Sequence, residues 1–176
     1  MEELAAIEAA DYTYNPRLQR VQRLFLFSCY TGLRYNELKN LKTSNLINTS
    51  SGYEITLHEV RKYPTPVYLP LGQLFGGKPD RLLRNYFIAG GELRLGIVNN
   101  VKLNVDLKQI AYDCGIVKPL SWHIARHTFA TMLGAVTGDV FLVKNLLGHR
   151  DVKTSMVYVR STPEIIRRRL SNVNWD

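Results

Sequence analysis

The stretch "SWHIARHTFATM" (residues 121–132) sets two histidines and an arginine, His123, Arg126 and His127, into what otherwise reads as a buried helix, just ahead of the apolar Phe129, Met132 and Leu133. His123 and His127 are four apart and share a helix face, which invites a metal-site reading. A zinc protease of that type needs a glutamate directly after the first histidine to act as base, and here the residue is Ile124. His123 and Arg126 also share a face, three apart, and both donate hydrogen bonds to phosphate oxygens, so the turn suits an anion. Taken alone, such a turn reads first as a capped or partly exposed helix start, and the rest of the chain decides between the two.

Around it the pattern is mostly helical. Residues 2–9 read as a short helix, and "NPRLQRVQRLFLFSCYTG" (15–32) as a core helix: Asn15 caps it, Pro16 suits the first position, Leu18, Val21, Leu24, Phe25 and Cys29 recur at helical spacing, and Gly32 stops it. A second short helix follows in "LRYNELKNL" (33–41). The period then changes to two in "YEITLHEV" (53–60), with "PVYLPL" (66–71) after a proline-containing connection, and a β-hairpin fits. Helices return in "PDRLLRNYFIA" (79–89), "VDLKQIAYDCG" (105–115), the opening stretch, "DVFLVKNLLG" (139–148), "DVKTSMVYV" (151–159) and "PEIIRRRLSNV" (163–173), while the glycine-rich "AGGELRLGIVNN" (89–100) reads as a loop. The expected fold class is mainly α with a small antiparallel β-sheet or hairpin.

The chain has 176 residues, enough for one domain with a real core and no need of disulfide staples. Its two cysteines, Cys29 and Cys114, form no CxxC and no zinc spacing, so a reducing cytosolic setting is expected and structural zinc is not. No apolar run approaches the roughly 20 residues that span a bilayer, and the acidic opening "MEELAAIEAA" is the reverse of a signal peptide's start. The formal net charge is +8, with basic residues spread along the chain, which makes a polyanion a plausible partner.

Further blocks accompany the histidine turn. "TGLRYNEL" (31–38) sets Arg34 just past a glycine turn at a helix start, where backbone amides favour an anion. "LLGHRDVKTSMVY" (146–158) carries His149 after a helix-ending glycine and Tyr158 nine residues on. The order Arg, Lys, HxxRH, LGH, Tyr resembles the catalytic domain of tyrosine recombinases of the phage-integrase family, over about residues 2–165, and "DLKQIAYDCGI" before "WHIARHTFATM" resembles a helix pair in integrases of mobile elements.

That resemblance implies that Arg34 and Arg126 grip the non-bridging oxygens of a scissile phosphate, a role that suits a planar fork charged at any working pH. His123 then donates to the same phosphate or handles protons, and His149 stands where the family has His or Trp. Tyr158 is the implied nucleophile, forming a 3′-phosphotyrosyl link and releasing a 5′-hydroxyl. Its phenol, with an ordinary pKa near 10, needs a proton acceptor or a cationic pocket. The family's general acid is a hairpin lysine. Here "EVRKYPTPVYLPL" (59–71) offers Lys62 and Arg61, neighbours that face opposite sides of a strand. Lys62 is preferred because lysine gives up a proton near neutral pH and arginine does not. His127 is expected to pack and hydrogen-bond within its helix, and His58 to face solvent.

The resemblance further implies a site-specific recombinase or integrase catalytic domain, cutting and rejoining DNA without metal or other cofactor. Two readings stay open beside it: a DNA-binding relative without catalysis, serving as regulator or scaffold, and a type IB topoisomerase. Double-stranded DNA is the expected partner, with a tetrameric synapse on DNA, a monomer when isolated, no small-molecule substrate and no membrane. The setting implied is bacterial cytoplasm at the nucleoid. Residues 1–176 are expected to be one catalytic domain from a longer integrase whose N-terminal DNA clamp precedes it. About residues 160–176 are expected to dock on a neighbouring protomer, and the basic run at Arg167–Leu170 either touches DNA or is a solvated face.

Overall fold

The structure is a computed structural model and describes residues 2–57, 66–97, 99–159 and 162–171, the side chains of Arg168 and Arg169 aside. The fold is mainly helical with one small antiparallel sheet, and two long helices form its spine. Helix α1 spans Glu2–Ala9 and α2 spans Pro16–Thr31. The side chain of Asn15 accepts from the Leu18 amide at the start of α2, and Gly32 ends it in the left-handed region (φ 70°), its amide donating to the Ser28 carbonyl. Buried Gln22 ties the first two helices together: its amide donates to the carbonyls of Ile7 and Ala10, closing the exposed end of α1.

Helix α3 (Tyr35–Asn40) leads into the sheet, formed by β1 (Leu46–Thr49), β2 (Gly52–Leu57) and β3 (Val67–Pro70) in the order β1-β2-β3, all antiparallel. Ile55 pairs with Leu46 on one side and Leu69 on the other, which turns Ile55 and Leu69 into the core. The sequence predicts only the β2–β3 hairpin. Strand β1 was illegible because its four residues show no apolar alternation, with both middle positions exposed. The hairpin connection, residues 58–65, lies outside the described residues, and with it His58, Arg61 and Lys62.

Helix α4 runs Lys78–Arg84, five residues shorter at its C-terminal end than the pattern predicts. Tyr86 and Phe87 instead leave the helix: the Arg94 amide donates to the Tyr86 carbonyl, and Phe87 bridges to Leu93, so the glycine-rich segment is a small turn-back and not a plain loop. Helix α5 (Asn100–Asp113) begins earlier than expected because the Asn99 side chain caps the Val101 amide. Helix α6 (Trp122–Thr137) is capped by Ser121, whose hydroxyl accepts from the Ile124 amide, and α7 (Val140–Leu147) by Asp139, which accepts from Phe141 and Leu142. Left-handed Gly138 and Gly148 end them. Of the predicted helix 151–159 only α8 (Lys153–Met156) forms, and α9 spans Pro163–Ser171.

Helices α2 and α6 pack face to face through fully buried Phe25 and Phe129. Each such ring contributes about 2–3 kcal/mol of burial. The ring of Trp122 lies 6.1 Å from that of Phe25, and Phe129 meets Phe75 edge-on at 5.8 Å. The approach is close at Gly32, where an added Cβ would sit 2.6 Å from Phe129 Cδ1 and 2.7 Å from Leu147 Cδ2. That contact draws the start of α3 and the ends of α2 and α7 against the outward turn of α6, which positions the site.

Candidate phosphate-binding site

Arg34 sits at the N-cap of α3, delivered there by the Gly32 turn. Its own amide donates to Glu37 Oε2 and its guanidinium to Glu37 Oε1, each at 2.8 Å. Arg126 comes from the first turns of α6 and is nearly buried. It donates to the Gly32 carbonyl at 2.8 Å and to the Leu147 carbonyl, and its Nη1 lies 3.9 Å from Glu37 Oε2. One carboxylate therefore stands between the two guanidiniums. Glu37 was not singled out from sequence, although its position three residues after a helix-start residue is the spacing of a capping box.

The other candidate groups line the same cleft, of about 750 Å³, with Arg34, Tyr35, Arg126 and Thr154. His149 follows Gly148 at the end of α7, and its Nδ1 is 2.8 Å from the hydroxyl of fully buried Ser155, which fixes the ring. Tyr158 lies past α8 in a turn whose amide donates to the Ser155 carbonyl. The Tyr158 carbonyl rests against α6 at Gly134, where an added Cβ would be 2.2 Å from it. His123 and His127 stack nearly perpendicular, ring centroids 4.3 Å apart, with their Nε2 atoms 2.7 Å apart. The phenolic oxygen of Tyr158 is hydrogen-bonded to His127 Nδ1. His127 thus hydrogen-bonds within its helix, to His123, as expected, but it is exposed instead of packed and also reaches Tyr158. Five of the six candidate side chains, all but Lys62, face one space.

Electrostatics agree with an anion site. Burial and the neighbouring Arg34 push the Arg126 guanidinium down to about 10, Glu37 opposing, so it remains a cation at neutral pH. Two cations held this close gain from an entering anion. Burial, Arg126, Arg34 and His127 lower His149 to about 4, which leaves it neutral. Tyr158 goes up: its burial outweighs the pull of Arg126, so the pocket's charge alone does not ionise the phenol.

The His149 shift has a consequence for stability. Its folded value lies below its ordinary 6.5, so the unfolded chain binds the proton more readily between about 6.5 and about 4. Stability is whole above that window and declines as pH falls through it, by about 1–2 kcal/mol after allowance for solvent contact. Thermal melts between pH 7 and pH 4 should show this loss, and His149→Gln should flatten it. An unchanged slope in that variant would remove His149 as the cause.

No group of three or more His, Cys, Asp or Glu side chains suited to a metal ion, and no helix long and apolar enough to cross a membrane, occurs among the described residues.

The model of the phage integrase family matches residues 97–164, the part that carries α5–α8 and both histidine blocks. The tyrosine recombinase XerD of Listeria monocytogenes is 28% identical over 174 residues, covering 92% of this chain and 57% of that relative. XerD of Bifidobacterium longum is 46% identical over 60 residues, 34% of this chain and 20% of that relative. Among solved structures, XerH recombinase bound to difH substrate in a pre-cleavage complex superposes with a TM-score of 0.69 at 20% identity, over 99% of this chain and 52% of that one. The catalytic domain of bacteriophage HP1 integrase gives 0.63 at 20% identity, over 97% and 89%. The chain therefore spans little more than half the length of its longer relatives, and the likeness to the solved structures is one of fold. Family model, relatives and fold agree in a single likeness: the chain resembles the phage integrase family of tyrosine recombinases.

Proposed function

We propose that this chain is a DNA strand-transferase domain that cuts and rejoins a phosphodiester through a covalent bond to Tyr158. The observation that carries the reading is the meeting of Arg34, Arg126, two imidazoles and the Tyr158 phenol in one cleft. Attack of the phenolic oxygen on phosphorus builds negative charge on the non-bridging oxygens, and donors already fixed in place stabilise that charge more than the ground state. Glu37 holds Arg34 and Arg126 for this task, and His149, neutral and oriented by Ser155, supplies a further hydrogen bond. The departing 5′-oxygen takes a proton from Lys62, chosen over Arg61 for its residue type, both outside the described residues. Bond energy is kept in the phosphotyrosine, so a second 5′-hydroxyl reverses the step.

Double-stranded DNA is the proposed partner, in keeping with the net charge of +8 and with the DNA complexes of XerH and the Tn1549 integrase. Assembly of four copies on DNA belongs to the same reading, with the segment from α9 onward, where Ile166 and Leu170 are exposed, as the surface that docks on a neighbour.

The test is a nicked duplex substrate that traps the cleaved strand. The protein should yield a denaturant-stable adduct, undiminished by EDTA, that Tyr158→Phe abolishes. DNA binding with no adduct would favour a regulator or scaffold instead, and an adduct that vanishes on chelation would contradict charge stabilisation by the two arginines alone.

A further inference from the structure

The strand-transfer reading leaves one need unmet. The Tyr158 phenol titrates above its ordinary value, because burial outweighs the charge of Arg126, so something must take its proton as it attacks. The only imidazole bonded to the phenolic oxygen among the described residues is neither of the two histidines, His123 and His149, that the resemblance singles out. It is His127, through Nδ1, and His127 is in turn joined to His123 through their Nε2 atoms at 2.7 Å. We infer that His127 is the base that accepts the phenolic proton of Tyr158, with His123 as the second station of a two-imidazole relay.

Hydrogen positions are mutually consistent. When the phenol donates to Nδ1, His127 carries its own proton on Nε2 and donates it to Nε2 of His123, whose remaining proton is then on Nδ1. As the bond from the phenolic oxygen to phosphorus forms, the phenolic proton passes to Nδ1 of His127. The bond from phosphorus to the 5′-oxygen breaks, its electron pair leaving with that oxygen, which is protonated from the other side of the phosphate. The Nε2 proton of His127 shifts toward His123, so the new positive charge spreads over two rings beside the phosphate. In rejoining, the same proton returns to the phenolic oxygen and nothing is consumed.

The surroundings keep His127 ready for this. The groups facing it among the described residues are His123 and Arg126 from α6, and Tyr158 and His149 from the chain after α7. Burial, His123 and Arg126 all lower His127 from its ordinary value, so the ring is neutral and able to accept near pH 7. The ring lies at the surface, so substitutions there leave the core untouched.

The proposal rests on the strand-transfer reading, and the experiment separates the two. Single-turnover adduct formation would be followed against pH with the protein, His127→Ala and His127→Asn, whose side-chain oxygen falls near the place of Nδ1 and accepts a hydrogen bond without taking a proton. Both variants should bind DNA and form adduct about 100-fold or more slowly. Their rates should climb about tenfold per pH unit toward the phenol's own titration, whereas the unaltered protein levels off above the imidazole range. A substrate with sulfur in place of the bridging 5′-oxygen, which needs no proton to leave, should restore Lys62→Ala and leave both His127 variants slow. His127→Asn at full rate with an unaltered profile would reduce the residue to a positioning one and overturn the relay, as would His127→Ala at full rate or rescue of either by the sulfur substrate. No adduct from the unaltered protein would overturn the strand-transfer reading itself.

Discussion

Arg126→Lys is expected to lower adduct formation by about 100- to 1,000-fold, the loss seen when one fixed donor to a developing oxyanion is removed, and to destabilise the fold by about 2–4 kcal/mol. The two effects share a cause. The guanidinium is nearly buried and uses its fork inward as well as outward, donating to the Gly32 carbonyl at the end of α2 and to the Leu147 carbonyl at the end of α7. Lysine keeps the charge, but a single ammonium does not reproduce a planar fork that serves two carbonyls on different helices and, on the strand-transfer proposal, a phosphate besides. One buried carbonyl is then left without its donor. Single-turnover assays and thermal melts check this together: the melting temperature should fall by about 5–15 °C. A variant that melts like the parent would show that the inward bonds contribute little, and one that forms adduct at the parent's rate would remove Arg126 from the phosphate.

The second large effect is expected at a position with no chemistry of its own. Gly134 lies inside α6, where alanine favours the helix by about 1 kcal/mol, yet an alanine Cβ there would stand 2.2 Å from the Tyr158 carbonyl oxygen and 2.9 Å from its carbonyl carbon. Both are backbone atoms and do not swing aside as a flexible side chain would. The Tyr158 turn must shift by about 1 Å, and a misplacement of that size is worth about 100-fold in rate. Gly134→Ala should therefore form adduct about 100-fold more slowly while melting within a few degrees of the parent. Equal rates would mean that the turn yields without moving the phenol.

Much of this was legible in the sequence where one stretch of chain decides the outcome. The caps at Asn15 and Ser121 and the stops at Gly32 and Gly148 bound their helices as the residue types require, and α6 forms where its apolar spacing indicates. What stayed hidden depends on contacts between distant segments. Glu37 reads as an ordinary helix carboxylate until Arg126, far along the chain, is folded against it. His127 reads as a packed helical residue until the Tyr158 turn crosses α6. Gly134 gives no local signal, since its role is to leave room for a carbonyl 24 residues on. The predicted helix 151–159 failed for a related reason: after Met156 the chain turns to rest its backbone on Gly134, and that contact outweighs local helical preference.

The Tyr158 turn is fastened to α6 twice, by its carbonyl against Gly134 and by its phenol on His127. To lend this side chain to another copy, both fastenings would have to be undone at once. On the strand-transfer proposal each polypeptide is in that sense self-sufficient, with the attacking oxygen and the cationic grip on the same molecule. On that proposal, cooperation between copies is confined to when each one acts, and does not extend to lending the phenol.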